Sequence, residues 1–92
     1  MIHELKIWPT FFVSVLNGTK THELRRCDDR TFAIGDTLRL REFDPDGNFY
    51  TGREASVEVT YITSANQPCA LSGAALSADY CILSIKPIKA AE

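Results

Sequence analysis

A small, mainly β fold is predicted for this 92-residue chain: a partly open β-barrel of about five strands with one short helix near the N-terminus. Three observations predict it. Short stretches alternate apolar and polar residues, around Leu5 and Ile7, Leu38 and Leu40, Val57 and Val59, and Cys81 to Ile85. Only the segment after Pro9 has clear helical spacing. Turn-forming residues separate the stretches, most densely at Asp44-Pro45-Asp46-Gly47-Asn48.

Residues 3–8 alternate Leu5 and Ile7 with Glu4 and Lys6, the pattern of a half-buried strand, with His3 as a polar residue at its start. Pro9 suits the first turn of a helix, where a missing N–H costs nothing. Phe12, Val15 and Leu16 then share one face, and Asn17-Gly18 supplies a left-handed stop after about two turns. This helix is expected to plug one end of the barrel, with Phe12 and Leu16 in the core. Residues 21–26 form the second strand and 27–30 a loop. In the third strand, residues 36–44, Leu38 and Leu40 lie on one face and Arg39, Arg41 and Phe43 on the other. The hairpin that follows combines the fixed φ of Pro45 with a Gly47 tolerant of positive φ. Along residues 49–62, Val57, Val59 and Tyr61 alternate with Glu58 and Thr60, and Gly52 marks a bulge or bend. Residues 64–78 carry no charge and read as a flexible connection with a helical turn at 74–77. The last strand, 80–88, sends Cys81, Leu83 and Ile85 to the core; Pro87 implies an edge or strand end, and 89–92 form a tail.

With 45% hydrophobic residues the chain suits one domain over residues 1–92, burying about 60–65% of its unfolded surface. No apolar run approaches the ~20 residues of a membrane span, and no basic segment precedes a hydrophobic one, so no membrane association and a cytoplasmic location are expected. Cys27, Cys69 and Cys81 lack C-x-x-C spacing and read as reduced thiols; no metal and no cofactor are expected. A net charge of −2 and a pI near 5.6 argue against tracking long nucleic acids by bulk electrostatics. Seven of the ten basic residues fall between positions 20 and 53, but seven acidic residues lie there too, so any basic face must come from folding. Phosphate-loop, dinucleotide-binding and serine-elbow motifs are absent from the sequence.

The stretch Gly18-Thr19-Lys20-Thr21-His22-Glu23-Leu24-Arg25 holds the candidate chemistry. Strand alternation sends Thr21, Glu23 and Arg25 to one side and His22, Leu24 and Arg26 to the other, while Lys20 sits in the turn. On pattern alone this is a solvated face with a Glu23–Arg25 ion pair worth under ~1 kcal/mol.

That string, together with His3-Glu4-Leu5-Lys6-Ile7-Trp8-Pro9, Phe32-Ala33-Ile34-Gly35-Asp36-Thr37-Leu38, Arg41-Glu42-Phe43-Asp44 and Tyr50-Thr51-Gly52-Arg53-Glu54, resembles the ASCH branch of the PUA-like superfamily. The resemblance covers roughly residues 3–62 and is closest to small phage and bacterial members of unknown function. It implies a PUA-like β-barrel that binds RNA or a modified nucleoside in a cleft between barrel and helix. Lys20, Thr21, Glu23 and Arg25 would line the cleft, Arg39 or Arg41 would contact the ligand backbone, and Trp8, Phe43 or Tyr50 would stack on a base. The chemistry fits: lysine and arginine grip phosphate or carbonyl oxygens, and a carboxylate accepts from exocyclic amines. Some ASCH members hydrolyse the amide of N4-acetylcytidine with a lysine at the position of Lys20, a threonine three residues on and a distant glutamate. Here Glu23 stands at the threonine position and no glutamate lies between Thr63 and Asp79. Lys20 and Glu23 are therefore the catalytic candidates of an alternative, amidohydrolase reading. A ribonuclease would rely on His22 with Lys20 as its local acid–base pair. A protein-interaction module, such as a phage-encoded inhibitor of a host factor, is the reading from a different class.

Overall fold

The computed structural model describes residues 1–88; the expected tail at 89–92 lies outside the described residues. The chain forms β1 (Ile2–Ile7), α1 (Pro9–Leu16), β2 (His22–Arg26), β3 (Thr37–Asp44), β4 (Phe49–Ser64), α2 (Ser72–Ala75) and β5 (Tyr80–Pro87). The strands make one curled half-barrel sheet in the order β1-β3-β4-β5-β2. Only β1 and β3 run parallel; the other neighbours are antiparallel. The mainly β half-barrel with a short N-terminal helix is thus the fold that the alternation predicted.

The core is built from the inward residues of each strand. Ile7, Leu38, Leu40, Val57, Val59, Cys81, Leu83 and Ile85 meet Phe12 and Val15 of α1, and Phe32 seals the end beneath the loop. Helix α1 opens with Trp8 as its cap residue and Pro9 in the first turn, and packs against β3. Leu16, expected in the core, is instead 54% exposed. Leu16 stands four residues after Phe12 and so on nearly the same face, but it is the last residue of the eight-residue helix, and the buried contact ends at Val15. The chain leaves the helix through a Schellman turn: Gly18 at φ 81° lets its own N–H reach the Val15 carbonyl at 3.2 Å and the Thr19 N–H reach that of Ser14 at 3.1 Å.

Two irregularities in β4 reset its faces. Val59 pairs with Ile85 but Tyr61 pairs with Ser84, so one extra residue shifts the phase of the strand. Ile62 then packs on the core and Tyr61, expected beside Val57 and Val59, is exposed. Earlier in the strand Arg41 pairs with Glu54 and Phe43 with Tyr50, leaving two extra residues on β4 around Gly52, the expected bulge. There Gly52 has φ 94°, and the bend aims Thr51 and Arg53 at the buried Glu42. In the hairpin, positive φ falls on Asn48 at 57° rather than on Gly47. Gly47 serves clearance instead, since a Cβ there would meet the Phe49 ring at 2.2 Å. The helical turn expected at 74–77 forms two residues earlier as α2, where the Ser72 hydroxyl accepts from the Cys69 N–H.

His3 stands at the start of β1 as expected, and it is buried. Its Nε2 lies 2.8 Å from Asp36 Oδ2, and its ring packs 4.6 Å from Phe32. The same carboxylate accepts from the Ala33 N–H, which ties the turn before β3 to β1. His3 above all, then the Ala33 N–H, holds the Asp36 carboxyl down to about 2, against the burial that would raise it.

A folded-state pKa below the ordinary 3.8 means that this cluster stabilises the fold fully above pH 4 and loses its contribution as pH falls from about 4 through about 2. Asp36→Asn is expected to lower stability at pH 7 and to flatten the loss of stability between pH 4 and 2, as read by urea unfolding across that range. Phe12→Ala should cost roughly 3–5 kcal/mol and Leu16→Ala less than about 1, by the same measurement at pH 7.

Candidate functional site

The edge strands of the sheet are β1 and β2, and α1 connects them. Between the two edges lies a hollow of about 390 Å³, within the roughly 300–1,000 Å³ range of small-molecule clefts. Its lining combines Ile7, Trp8 and Phe11 with Lys20, Glu23 and Arg25, and Lys6, His22 and Leu24 complete the rim.

Local structure explains each placement. Trp8 precedes a proline and is held extended, with φ −72° and ψ 152°, so its indole projects from the β1–α1 junction instead of joining the helix face. Phe11, one turn into α1, stacks beside it with ring centroids 6.1 Å apart and planes 22° from parallel. Both residues are about half exposed, and together they present an apolar patch to solvent. The Schellman turn carries the chain from α1 back toward the sheet, with the Lys20 N–H also donating to Ser14 O at 3.0 Å, and this sets Lys20 at the mouth of the hollow. Alternation along β2 then points Glu23 and Arg25 inward.

The solvated ion pair read from the pattern is, in the fold, a half-buried triad. Glu23 is 4% exposed. Lys20 Nζ donates to its Oε1 at 2.5 Å, and Arg25 Nε donates to its Oε2 at 3.0 Å, with Nη2 at ion-pair distance, 2.8 Å, from the same oxygen. Each cation also bonds a backbone carbonyl of a sheet edge. Lys20 Nζ reaches His22 O on β2, and Arg25 Nη2 reaches across the opening to Lys6 O on β1 at 2.7 Å. Side chains therefore link the two edges where no strand pairing does. A lysine at position 25 has no fork with which to hold both partners.

Of the other candidates, Trp8 lines this hollow, whereas Thr21 does not; its carbonyl accepts from Ile85 N–H and extends the β2–β5 pairing. Arg39 is committed elsewhere, with two nitrogens on Glu54 Oε1 at 3.0 and 2.8 Å. Arg41 lines a second hollow of about 340 Å³ that abuts the first and shares Lys6 and Arg25 with it. Tyr50 borders this second hollow, and Phe43 packs edge-on against Tyr50 at 5.1 Å. His22 does lie on the face of β2 opposite Glu23, yet it reaches the rim because the hollow wraps around the strand edge. Lys20, Glu23, Arg25 and Trp8 are thus brought together; Thr21 and Arg39 are not.

Sequence reasoning missed Phe11, Leu24 and Lys6 as lining residues, and it missed the buried Glu42. Glu42 shares the face of Leu38 and Leu40 by simple alternation, a signal present in the sequence. The bidentate Arg53, at 2.8 Å from each oxygen, and then the Thr51 hydroxyl hold its carboxyl below the usual carboxylate range. Arg53 also covers the Phe12 ring at 5.1 Å, so this pair closes the core beneath α1. Among the described residues no buried side-chain nitrogen or oxygen lacks a hydrogen-bond partner. Nor do three His, Cys, Asp or Glu side chains among them converge as a metal site would require. Cys81 is a core residue as expected, its thiol pushed up to about 12 by burial first and by neighbouring Cys27 second; Cys69 is an exposed loop residue. No helix among the described residues is long and apolar enough to cross a membrane.

Removing the carboxylate leaves two cations without their shared partner. Glu23→Ala is therefore expected to cost about 2–3 kcal/mol, toward the low end for breaking a buried pair because both cations keep some access to water. Arg26→Ala, which loses the exposed pair with Asp28 and a distant contact with the Tyr80 ring, should leave stability nearly unchanged. Equilibrium unfolding of the two variants checks the contrast.

Most of the chain is similar to known proteins of unassigned function. A family model described as "Domain of unknown function (DUF3850)" matches residues 2–85. An "Uncharacterized 12.9 kDa protein in GpA 3'region" of Escherichia phage P2 is 39% identical over 62 residues, which cover 67% of this chain and 54% of the phage protein. The chain thus spans about half the length of that curated relative. With the family model covering nearly all of the sheet and helix described above, the chain belongs to the DUF3850 family.

Proposed function

We propose that the hollow between the two sheet edges binds RNA or a modified nucleoside by its base, and that the half-barrel is a member of the ASCH branch of the PUA-like superfamily. One observation carries this reading: an exposed, stacked Trp8–Phe11 pair faces a half-buried Lys20–Glu23–Arg25 triad across a single concavity. An aromatic platform supplies the stacking that every base accepts, worth about 1–3 kcal/mol per base. The triad supplies both signs of hydrogen bonding. Lys20 and Arg25 donate to carbonyl oxygens, and the Glu23 carboxylate accepts from an exocyclic amine, the complement of a Watson–Crick edge. Partial burial strengthens such contacts relative to water, and a base edge would use the N–H groups and lone pairs that the triad's internal bonds leave over. The sequence resemblance in the Lys20–Arg25 string and in the glycine–aspartate turn supports the superfamily assignment, and the mainly β half-barrel is compatible with it.

Trp8 is the single tryptophan of the chain, so its emission reports on the hollow directly. Titration with the four ribonucleosides, N4-acetylcytidine and short RNAs is expected to quench it saturably. Lys20→Ala should weaken binding about tenfold, close to 1.4 kcal/mol. Trp8→Ala, followed by calorimetry, should weaken it by the roughly 1–3 kcal/mol of one stacked base. Chromatography of the same mixtures separates the alternatives: release of cytidine from N4-acetylcytidine, abolished by Lys20→Ala, would replace simple binding with amide hydrolysis. If neither emission nor heat responds to any of these compounds, the base-binding reading falls and a protein-interaction role takes its place.

A further inference from the structure

The second hollow has a charge balance that the first does not. It is lined by Lys6, Arg25, Arg30 and Arg41, with Tyr50 at its wall and Glu4 as its one carboxylate. Four cations thus line a recess with a single acid among its lining residues, Arg25 being held by Glu23 of the first hollow, in a protein whose formal net charge is −2. Their partners are few. Among the described residues neither the Lys6 ammonium nor the Arg30 guanidinium makes a hydrogen bond or an ion pair. Arg41 approaches Glu4 and Glu54 only at 3.6 and 4.0 Å, without a hydrogen bond.

Aromatic rings hold two of these cations in place. Lys6 Nζ sits 4.4 Å from the Phe43 centroid and 5.8 Å from that of Tyr50, while the Arg41 guanidinium lies 4.1 Å over the Tyr50 ring. The edge-to-face Phe43–Tyr50 pair therefore helps to hold Lys6 and Arg41 at this wall without supplying a hydrogen-bond acceptor for either. Like charges gathered in a recess repel one another, and an anion placed among them relieves that cost. Arginine forks suit the planar, bidentate grip of a phosphate, and lysine adds a point charge.

We propose that this second hollow is a phosphate subsite, formed by Lys6, Arg30 and Arg41, that holds a phosphate of the nucleotide whose base occupies the first hollow. The assignment rests on the base-binding reading above only for what is attached to the phosphate. Lys6 and Arg25 border both hollows, so a ligand passing from one to the other crosses a continuous cationic wall. Neither Arg30 nor Arg41 borders the first hollow, which makes them separable probes.

The test titrates the protein with cytidine and uridine, with their 5′-monophosphates and with the dinucleoside monophosphate UpU, reading Trp8 emission. Inorganic pyrophosphate is titrated separately, reading the Nε–H resonances of Arg30 and Arg41. Nucleotides should bind at least tenfold tighter than nucleosides, and the gain should vanish in the Arg30→Gln, Arg41→Gln double variant while nucleoside affinity stays within twofold. Pyrophosphate should shift both arginine resonances in the unsubstituted protein, a readout that needs no variant to fold. A gain shared by UpU assigns the subsite to the diester of a strand, and one confined to mononucleotides assigns it to a terminal phosphate. Nucleosides that bind with no gain from phosphate, or a gain that survives the double substitution, overturn the subsite and leave the base-binding reading intact. A pyrophosphate response without any nucleoside response upholds the anion site and removes the base. Silence toward every probe overturns both.

Discussion

The Arg25 guanidinium joins the two ends of the sheet, and the shape of the recess between them depends on that bridge. Five strands in the order β1-β3-β4-β5-β2 curl without closing, so β1 and β2 each present an edge to the other. Unpaired edge carbonyls are costly if buried and hazardous if exposed. Here Arg25 takes the Lys6 carbonyl and Lys20 takes that of His22. Glu23 keeps both cations in position, and its own desolvation is offset by two charge-assisted partners. Closing a barrel by side chains leaves a recess where a sixth strand would lie. The recess has a polar floor and, from the β1–α1 junction, an aromatic wall.

The same economy recurs wherever the sheet departs from regularity. Glu42 is buried opposite the Gly52 bulge and is met by Arg53 and Thr51. Asp36 is buried at the turn before β3 and is met by His3. In each case an acid on the inward face meets a partner that only one register supplies. Slipping β3 by one residue would turn Leu38 and Leu40 outward and Arg39 and Arg41 inward, and would separate these acids from their partners as well. A small domain with a limited core gains conformational uniqueness from such pairs.

Much of this was legible in order along the chain. The alternation of Leu5 with Ile7, of Leu38 with Leu40, and of Cys81, Leu83 and Ile85 marks three strands, and Pro9 with Asn17-Gly18 brackets the helix. What resisted reading depends on pairing partners distant in sequence. Tyr61 obeys the same alternation as Val57 and Val59, but the extra residue before it exists only in relation to β5. His3 looks like a polar strand opener until Asp36, 33 residues later, is folded against it. Leu16 fits the apolar face of the helix, and only the position of β3 shows that the contact ends at Val15. Glu42 was readable by counting from Leu40, yet its tolerance of burial could be understood only with Arg53 beside it.

The candidate site divides along the same line. Local chemistry determined its parts: a proline that holds Trp8 extended, a glycine that ends the helix just before Lys20, and a strand period that puts Glu23 and Arg25 on one face. Those follow from dihedral preference and a period of two, which neighbours in sequence suffice to set. The tertiary structure alone decided that this face turns inward, that β1 comes to lie across from β2, and that Lys6, Arg30 and Arg41 gather beside them. Burial and charge convergence are properties of surfaces brought together from separate strands, and no local pattern encodes which surfaces will meet.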